Sequence, residues 1–167
     1  MTTTDAATTN GRGGLALIAV AVAVACVVAL VVAVTGGGAP PTPGAEARAG
    51  SFDFVVHRAE TTDVLADPEY PERNITAAGK FVVVKLTATN VSGVRQTFRT
   101  AFDSVSDGMT QYGVDQEAWR YVGPAAKDVE PGKSIDAAVV FDVPQAADLD
   151  AIVLRDQRFA QGVAVAL

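Results

Sequence analysis

The sequence predicts an all-β fold, an antiparallel β-sandwich of about seven strands preceded by one transmembrane α-helix. Three observations carry this reading. Residues Leu15 to Val34, LALIAVAVAVACVVALVVAV, hold no charge, amide side chain, proline or glycine. Past residue 50 the apolar residues recur with a period of two, which sends successive side chains to opposite faces of a strand. Pro, Gly, Asn and Asp break these runs at intervals of about 8–12 residues, the turn spacing of a sandwich. No amphipathic helical window, internal repeat or sustained heptad competes with the pattern.

Charge narrows the partners. The chain carries 13 Lys and Arg against 19 Asp and Glu, a formal net charge of −6. Such a surface repels nucleic acid, and it repels anionic lipid or polymer unless a divalent cation bridges the two. The single cysteine, Cys26, lies inside the apolar run, so the rest of the chain forms no disulfide. A cysteine-free domain of this size outside a membrane fits a bacterial surface protein stabilised by packing alone.

Taken in order, residues 1–14 are a Thr-, Gly- and Ala-rich tail without apolar periodicity, expected to be disordered and cytoplasmic. At about 1.5 Å per residue the run 15–34 is about 30 Å long as a helix, the thickness of a hydrocarbon core. Its twelve Leu, Ile and Val residues, at roughly 0.4 kcal/mol each, favour insertion by about 5 kcal/mol. Arg12 lies just ahead of the run and Glu46 and Arg48 well behind it, so the positive-inside bias sets the tail inside and the larger domain outside. A cleaved signal peptide is the alternative, with a shorter apolar core and a small-x-small site. Ala33-Val34-Thr35 matches that site poorly. A lipoprotein signal would use Cys26 behind Ala23-Val24-Ala25, but the run continues for eight residues past the cysteine. Residues 35–50, TGGGAPPTPGAEARAG, read as a Gly/Pro-rich stalk, spanning up to roughly 40–50 Å if fully extended.

Residues 51–167 are the expected folded domain. Phe52, Phe54 and Val56 alternate with Asp53, Val55 and His57 as a first strand. Ala59 to Gly79, with Pro68 and Pro71, reads as a loop with room for a short edge strand. Lys80 to Asn90 is the strongest strand signal. Val82, Val84, Leu86 and Ala88 face one way, and Phe81, Val83, Lys85, Thr87 and Thr89 the other. Arg95 to Val105 follows as a strand, with Ser106-Asp107-Gly108 as a hairpin turn and Met109 to Val114 as the return. Asp115 to Lys127 lacks a period and reads as a loop tucking Trp119 against the sandwich edge. Glu130-Pro131-Gly132-Lys133 is a turn that launches Ser134 to Val143, and Pro144 ends that strand. Ala151 to Arg155 and Val163 to Leu167 close the fold.

The series Gly79-Lys80-Phe81-Val82-Val83-Val84, Thr89-Asn90, Asp107-Gly108, Glu130-Pro131-Gly132, Val140-Phe141-Asp142-Val143-Pro144 and Gly162 to Leu167 resembles the telokin-like, immunoglobulin-like domain called DUF4352. It also resembles, in fold, the MPT63-type secreted antigens. The resemblance covers Ser51 to Leu167, and its most specific piece is the phrase ending in VVFDVP. It implies an exported sandwich of actinobacterial and other Gram-positive envelopes, often behind a transmembrane or lipoprotein anchor. It implies no established reaction.

Chemistry is sparse. His57 is the single histidine, so a hydrolytic trio would need it beside a Ser or Thr and an acid, and no G-x-S-x-G elbow exists. No enzyme and no cofactor are expected. Zinc is excluded for want of His and Cys ligands outside the apolar run. Calcium would draw on Asp103, Asp107 and Asp115, or on Asp63, Asp67, Glu69 and Glu72, and neither set has a known loop spacing. Tyr70, Tyr112, Trp119 and Tyr121 are the partner-binding candidates, since Tyr and Trp anchor interfaces. The expected function is an extracytoplasmic, single-pass module held in the membrane through Leu15 to Val34. It would bind an envelope or surface protein, with a small-ligand or calcium-binding sensor or carrier as the alternative.

Overall fold

The computed structural model describes residues 39–67 and 69–167. The expected tail and transmembrane helix lie outside the described residues, and among the described residues no helix is long and apolar enough to cross a membrane.

Among the described residues, ten strands and little helix form a sandwich. β1 (Glu46–Ala49), β2 (Phe52–Leu65), β3 (Ile75–Asn90) and β8 (Ser134–Val143) make one antiparallel sheet in the order β1-β2-β3-β8. The second layer holds β5 (Ser104–Ser106), β6 (Gln111–Gly113), β9 (Ala151–Leu154) and β10 (Val163–Ala166) in the order β10-β9-β5-β6. It also holds the pair β4 (Gln96–Arg99) and β7 (Ala126–Val129). Between the layers lie the inward residues of the first sheet (Phe52, Phe54, Val56, Val82, Val84, Leu86, Val139, Phe141) and Phe98, Val105, Val129, Ile152, Leu154 and Val165 from the second. The rings of Phe52, Phe54 and Phe98 cluster at centroid distances of 5.8–6.0 Å, within the range where tilted and edge-on pairs attract.

Both faces of β3 are in use, as its continuous Phe81-Val82-Val83-Val84 run requires. Val82 and Val84 enter the main core, while Phe81 and Val83 point outward to a second cluster with Leu65, Ala118 and Val140. That cluster is covered by α1 (Trp119–Val122), whose Tyr121 and Val122 pack on it. The Asp115 carboxylate starts this segment by accepting the N–H groups of Glu117 and Ala118 at 2.8 and 2.9 Å. Asn90, fully buried at the end of β3, ties the layers together. Its amide donates to Val94 O and Val129 O, both at 2.8 Å, and its carbonyl oxygen accepts the Ser92 N–H and hydroxyl. The Glu130-Pro131-Gly132-Lys133 turn closes against the same residue: Gly132 N–H bonds Asn90 O, and Gly132 sits at φ 68°, where glycine is at ease.

Four expectations need correction. Seven strands become ten, because β1 and β7 join the sheets and Arg95 to Val105 is split by a 3₁₀ turn at Thr100–Phe102 into β4 and β5. The stalk does not run to Gly50. Glu46–Ala49 pairs with β2 and buries Ala47 and Ala49, Gly44 N–H bonds Val56 O, and Ala166 N–H bonds Pro41 O. Ala59 to Gly79 is mostly strand, since β2 runs on to Leu65 and β3 starts at Ile75, the two paired across an irregularity between Thr62 and Val64. Asp115 to Lys127 is a short helix followed by the start of β7, not a loop throughout.

Candidate functional site

Apolar and charged groups with open space beside them meet where β8 forms the border of the first sheet. A cleft of about 430 Å³ wraps over this border. Its apolar surface comes from Leu86, Phe98, Ile135, Ala137, Ala138 and Val122. Gly123, at φ 143°, lets the chain leave α1 and run through Pro124 along the far wall into β7. Arg58, Lys85 and Lys127 supply positive charge and Asp136 negative charge. On the outer face Glu60 bridges Arg58 and Lys85, at 3.0 and 3.1 Å. These pairs are solvent-exposed and add little stability. They do hold the two cations beside the cleft.

His57, Thr87 and Asp136 form a row across β2, β3 and β8. Thr87 Oγ1 donates to Asp136 Oδ1 at 2.7 Å, and His57 Nε2 lies 2.8 Å from Thr87 Oγ1. The hydroxyl has one proton and spends it on the carboxylate, so the imidazole nitrogen donates to the hydroxyl. The three residue types of a hydrolytic trio thus meet, with the proton directed away from the histidine. A base that receives the nucleophile's proton is what such chemistry requires. This row ties strands together.

The four aromatic candidates do not form one surface. Tyr70 is 42% exposed under the Arg73 guanidinium, 4.0 Å from its ring centre, and Tyr121 donates its hydroxyl to Arg73 O. These two therefore share one corner. Trp119, on the same short helix as Tyr121, instead sits between shallow depressions of about 280 and 450 Å³ lined by Ala101 and Ala125. Tyr112 is apart from all three, its hydroxyl donated to Asp107 Oδ2 at 2.9 Å in the hairpin. The sequence does not mark the cleft residues at β8 as a site. Their signal was the alternation of Ser134 to Val143, which says nothing of which strand ends a sheet.

The acidic residues are spent on backbone groups. Asp107 Oδ1 accepts the N–H groups of Met109 and Thr110, and these bonds, with that of Tyr112, hold its pKa below the ordinary value. Asp67 Oδ1 accepts those of Glu69 and Tyr70, which likewise lower its pKa. Asp103 is buried. Oδ1 accepts the Arg155 N–H at 3.0 Å, Oδ2 has no partner, and burial pushes the pKa well above the ordinary value against the opposing pull of Arg155. Asp103, Asp107 and Asp115 do not converge, and among the described residues no three His, Cys, Asp or Glu side chains gather as metal ligands do.

The layers, the strand order and the open β8 border define an all-β sandwich with a cleft at its edge. The chain belongs to the DUF4352 family, described as a domain of unknown function, whose model matches residues 42–164. Solved structures with the same fold include the yjhA protein of Bacillus subtilis, at TM-score 0.57 and 10% identity over 76% of this chain and 99% of that one. They also include the secreted protein MPT63 of Mycobacterium tuberculosis, at TM-score 0.53 and 15% identity over 78% of this chain and 100% of that one. A functionally unknown protein of Listeria monocytogenes aligns at TM-score 0.52 and 13% identity over 80% and 86%. No curated protein matches the sequence.

Proposed function

We propose that this chain is a single-pass membrane protein that displays an immunoglobulin-like sandwich outside the cell membrane to bind another envelope protein, without catalysis. The cleft at the β8 border is the observation that carries the binding role. It combines partly buried apolar residues with charged groups at its mouth, the composition of a recognition surface. The apolar run 15–34 and Arg12 support the anchor and its orientation. With Pro41 already bonded to Ala166, the spacer shrinks to residues 35–40, at most about 20 Å when fully extended.

Protease added to intact, wall-stripped cells tests the display. Loss of the domain from the cell surface, with residues 1–34 retained in the membrane fraction, is the expected result. A domain protected until the cells are lysed overturns the orientation, and a domain released without protease overturns the anchor. Cross-linking on intact cells then tests binding, with a stoichiometric protein adduct expected through residues of the cleft.

A further inference from the structure

The four residues Ile135, Asp136, Ala137 and Ala138 follow one another along β8, and all of them line the cleft. Successive strand residues point to opposite faces of a sheet, so a space that touches all four runs along the strand's backbone edge. β3 is the one ladder partner of β8 among the described residues. The direction of its remaining backbone groups follows from one bond. Asp115 N–H donates to Val140 O at 2.9 Å, so the Val140 carbonyl faces away from β3. In an antiparallel strand alternate residues turn both backbone groups to the same side. Asp136 and Ala138 therefore present N–H and C=O to the cleft, and no protein group among the described residues bonds them.

We propose that this free edge of β8 takes an extended peptide segment of alternating apolar and acidic residues from a partner protein, added as a further strand. The proposal rests on the reading of the domain as a protein-binding module and names the partner's chemistry. Length is bounded on one side by Asp115, which caps Val140, and on the other by the turn before Ser134, leaving room for about five residues. On the inner face the added strand lies beside Ile135 and Ala137, which are only partly buried against the main core and gain cover. On the outer face it lies beside Ala138, whose neighbour across the ladder is Lys85. Lys127, with no carboxylate within 4.0 Å among the described residues, stands at the mouth.

Charge selects the occupant. Arg58, Lys85 and Lys127 stand against Asp136 and the Glu60 that bridges the first two, so in a chain whose net charge is −6 this cleft keeps an excess of one positive charge, carried by the Lys127 left unpaired among the described residues. A carboxylate-bearing strand is attracted there. A second copy docking edge to edge about a two-fold axis would bring this cationic rim against itself, which disfavours it.

The test uses the full chain in lipid nanodiscs and a short synthetic peptide of alternating valine and glutamate, with alternating valine and lysine as the control. Hydrogen exchange at the Asp136 and Ala138 amides should slow on adding the glutamate peptide and stay unchanged with the lysine peptide. Lys127→Glu should weaken binding about tenfold or more. Ala138→Pro should abolish the protection at Asp136. Its lost N–H faces the cleft, so the β3 ladder keeps its donors, and Lys127→Glu remains decisive should the proline variant fail to fold. Exchange unchanged at saturating peptide, equal protection by both peptides, or protection that rises with protein concentration alone each overturns the proposal. Nanodisc binding does not depend on cellular orientation. A failed peptide test with surface-exposed protein therefore removes this site and leaves the display reading, and bound peptide with inward topology does the reverse.

Discussion

Asp103→Asn should make the domain more stable at neutral pH, and by an amount that depends on pH in a set direction. Asp103 is 3% exposed and its Oδ2 finds no donor, while Oδ1 keeps the Arg155 N–H. A buried polar atom without a partner costs roughly 1–3 kcal/mol, and more if charged. Each unit by which burial raises the pKa adds about 1.4 kcal/mol of penalty to the ionised form. Because the folded pKa is raised, the native state holds a proton that the unfolded chain releases above about 3.8. Stability then falls as pH rises from that value towards the folded pKa. The asparagine keeps the bond from Arg155 and leaves Nδ2 as unpartnered as Oδ2 was, so the gain comes from removing the charge: at about pH 7.5 it is expected to be roughly 1–3 kcal/mol, and to shrink towards zero near pH 4. Urea unfolding of both proteins, followed by the fluorescence of the single tryptophan and by near-ultraviolet dichroism, measures the difference. A difference that is constant across this range, or a wild type favoured at the higher pH, would refute the reasoning.

Two further outcomes are expected. A Cβ on Gly79 would sit 2.0 Å from the Val143 carbonyl oxygen, so Gly79→Ala must shift the β3–β8 ladder. It should cost about 1–3 kcal/mol in the same unfolding assay, whereas Gly93→Ala, with open space around it, should cost far less. Tyr112→Phe removes one of the bonds that hold the Asp107 pKa below its ordinary value, so the carboxylate resonance of Asp107 should titrate at higher pH in the variant. Asp107 contributes its stability above about 3.8 and loses it as pH falls through the folded pKa, so the variant should lose that contribution at a higher pH than the wild type.

What could be read from the sequence follows from where period two survives. Along Ser134–Val143 the predicted faces hold, with Ile135, Ala137, Val139, Phe141 and Val143 turned to the main core and Ala138 and Val140 to the opposite cluster, and the Pro-Gly turn before it adopts the backbone its residues favour. The far half of β2 was illegible because its residues Arg58 to Val64 are not buried, so no apolar alternation marks them. The bulge after Val56 also shifts the register. β1 did carry a signal, Ala47 and Ala49 alternating with Glu46 and Arg48, but its glycine- and proline-rich approach masked it. Arg48 pairs with Asp53 at 2.6 Å across that ladder, a partnership visible only once the strands are aligned. The cleft was hidden for a different reason. Whether a strand is central or peripheral depends on the whole chain's topology, and Ile135 to Ala138 would read the same in either place.

The bonds of residues 41–49 also decide how the fold bears force. Tension arriving through the chain ahead of Pro41 meets the bond to β10 first, then the Gly44–Val56 bond and the four registered pairs of β1 with β2. A pull directed along β1 loads these links in parallel as shear, which is harder to break than peeling them singly. If β1 does yield, Ala47 and Ala49 leave the core and the inner face of β2 is opened at its edge. The first strand is thus where mechanical stress is either carried or converted into unfolding.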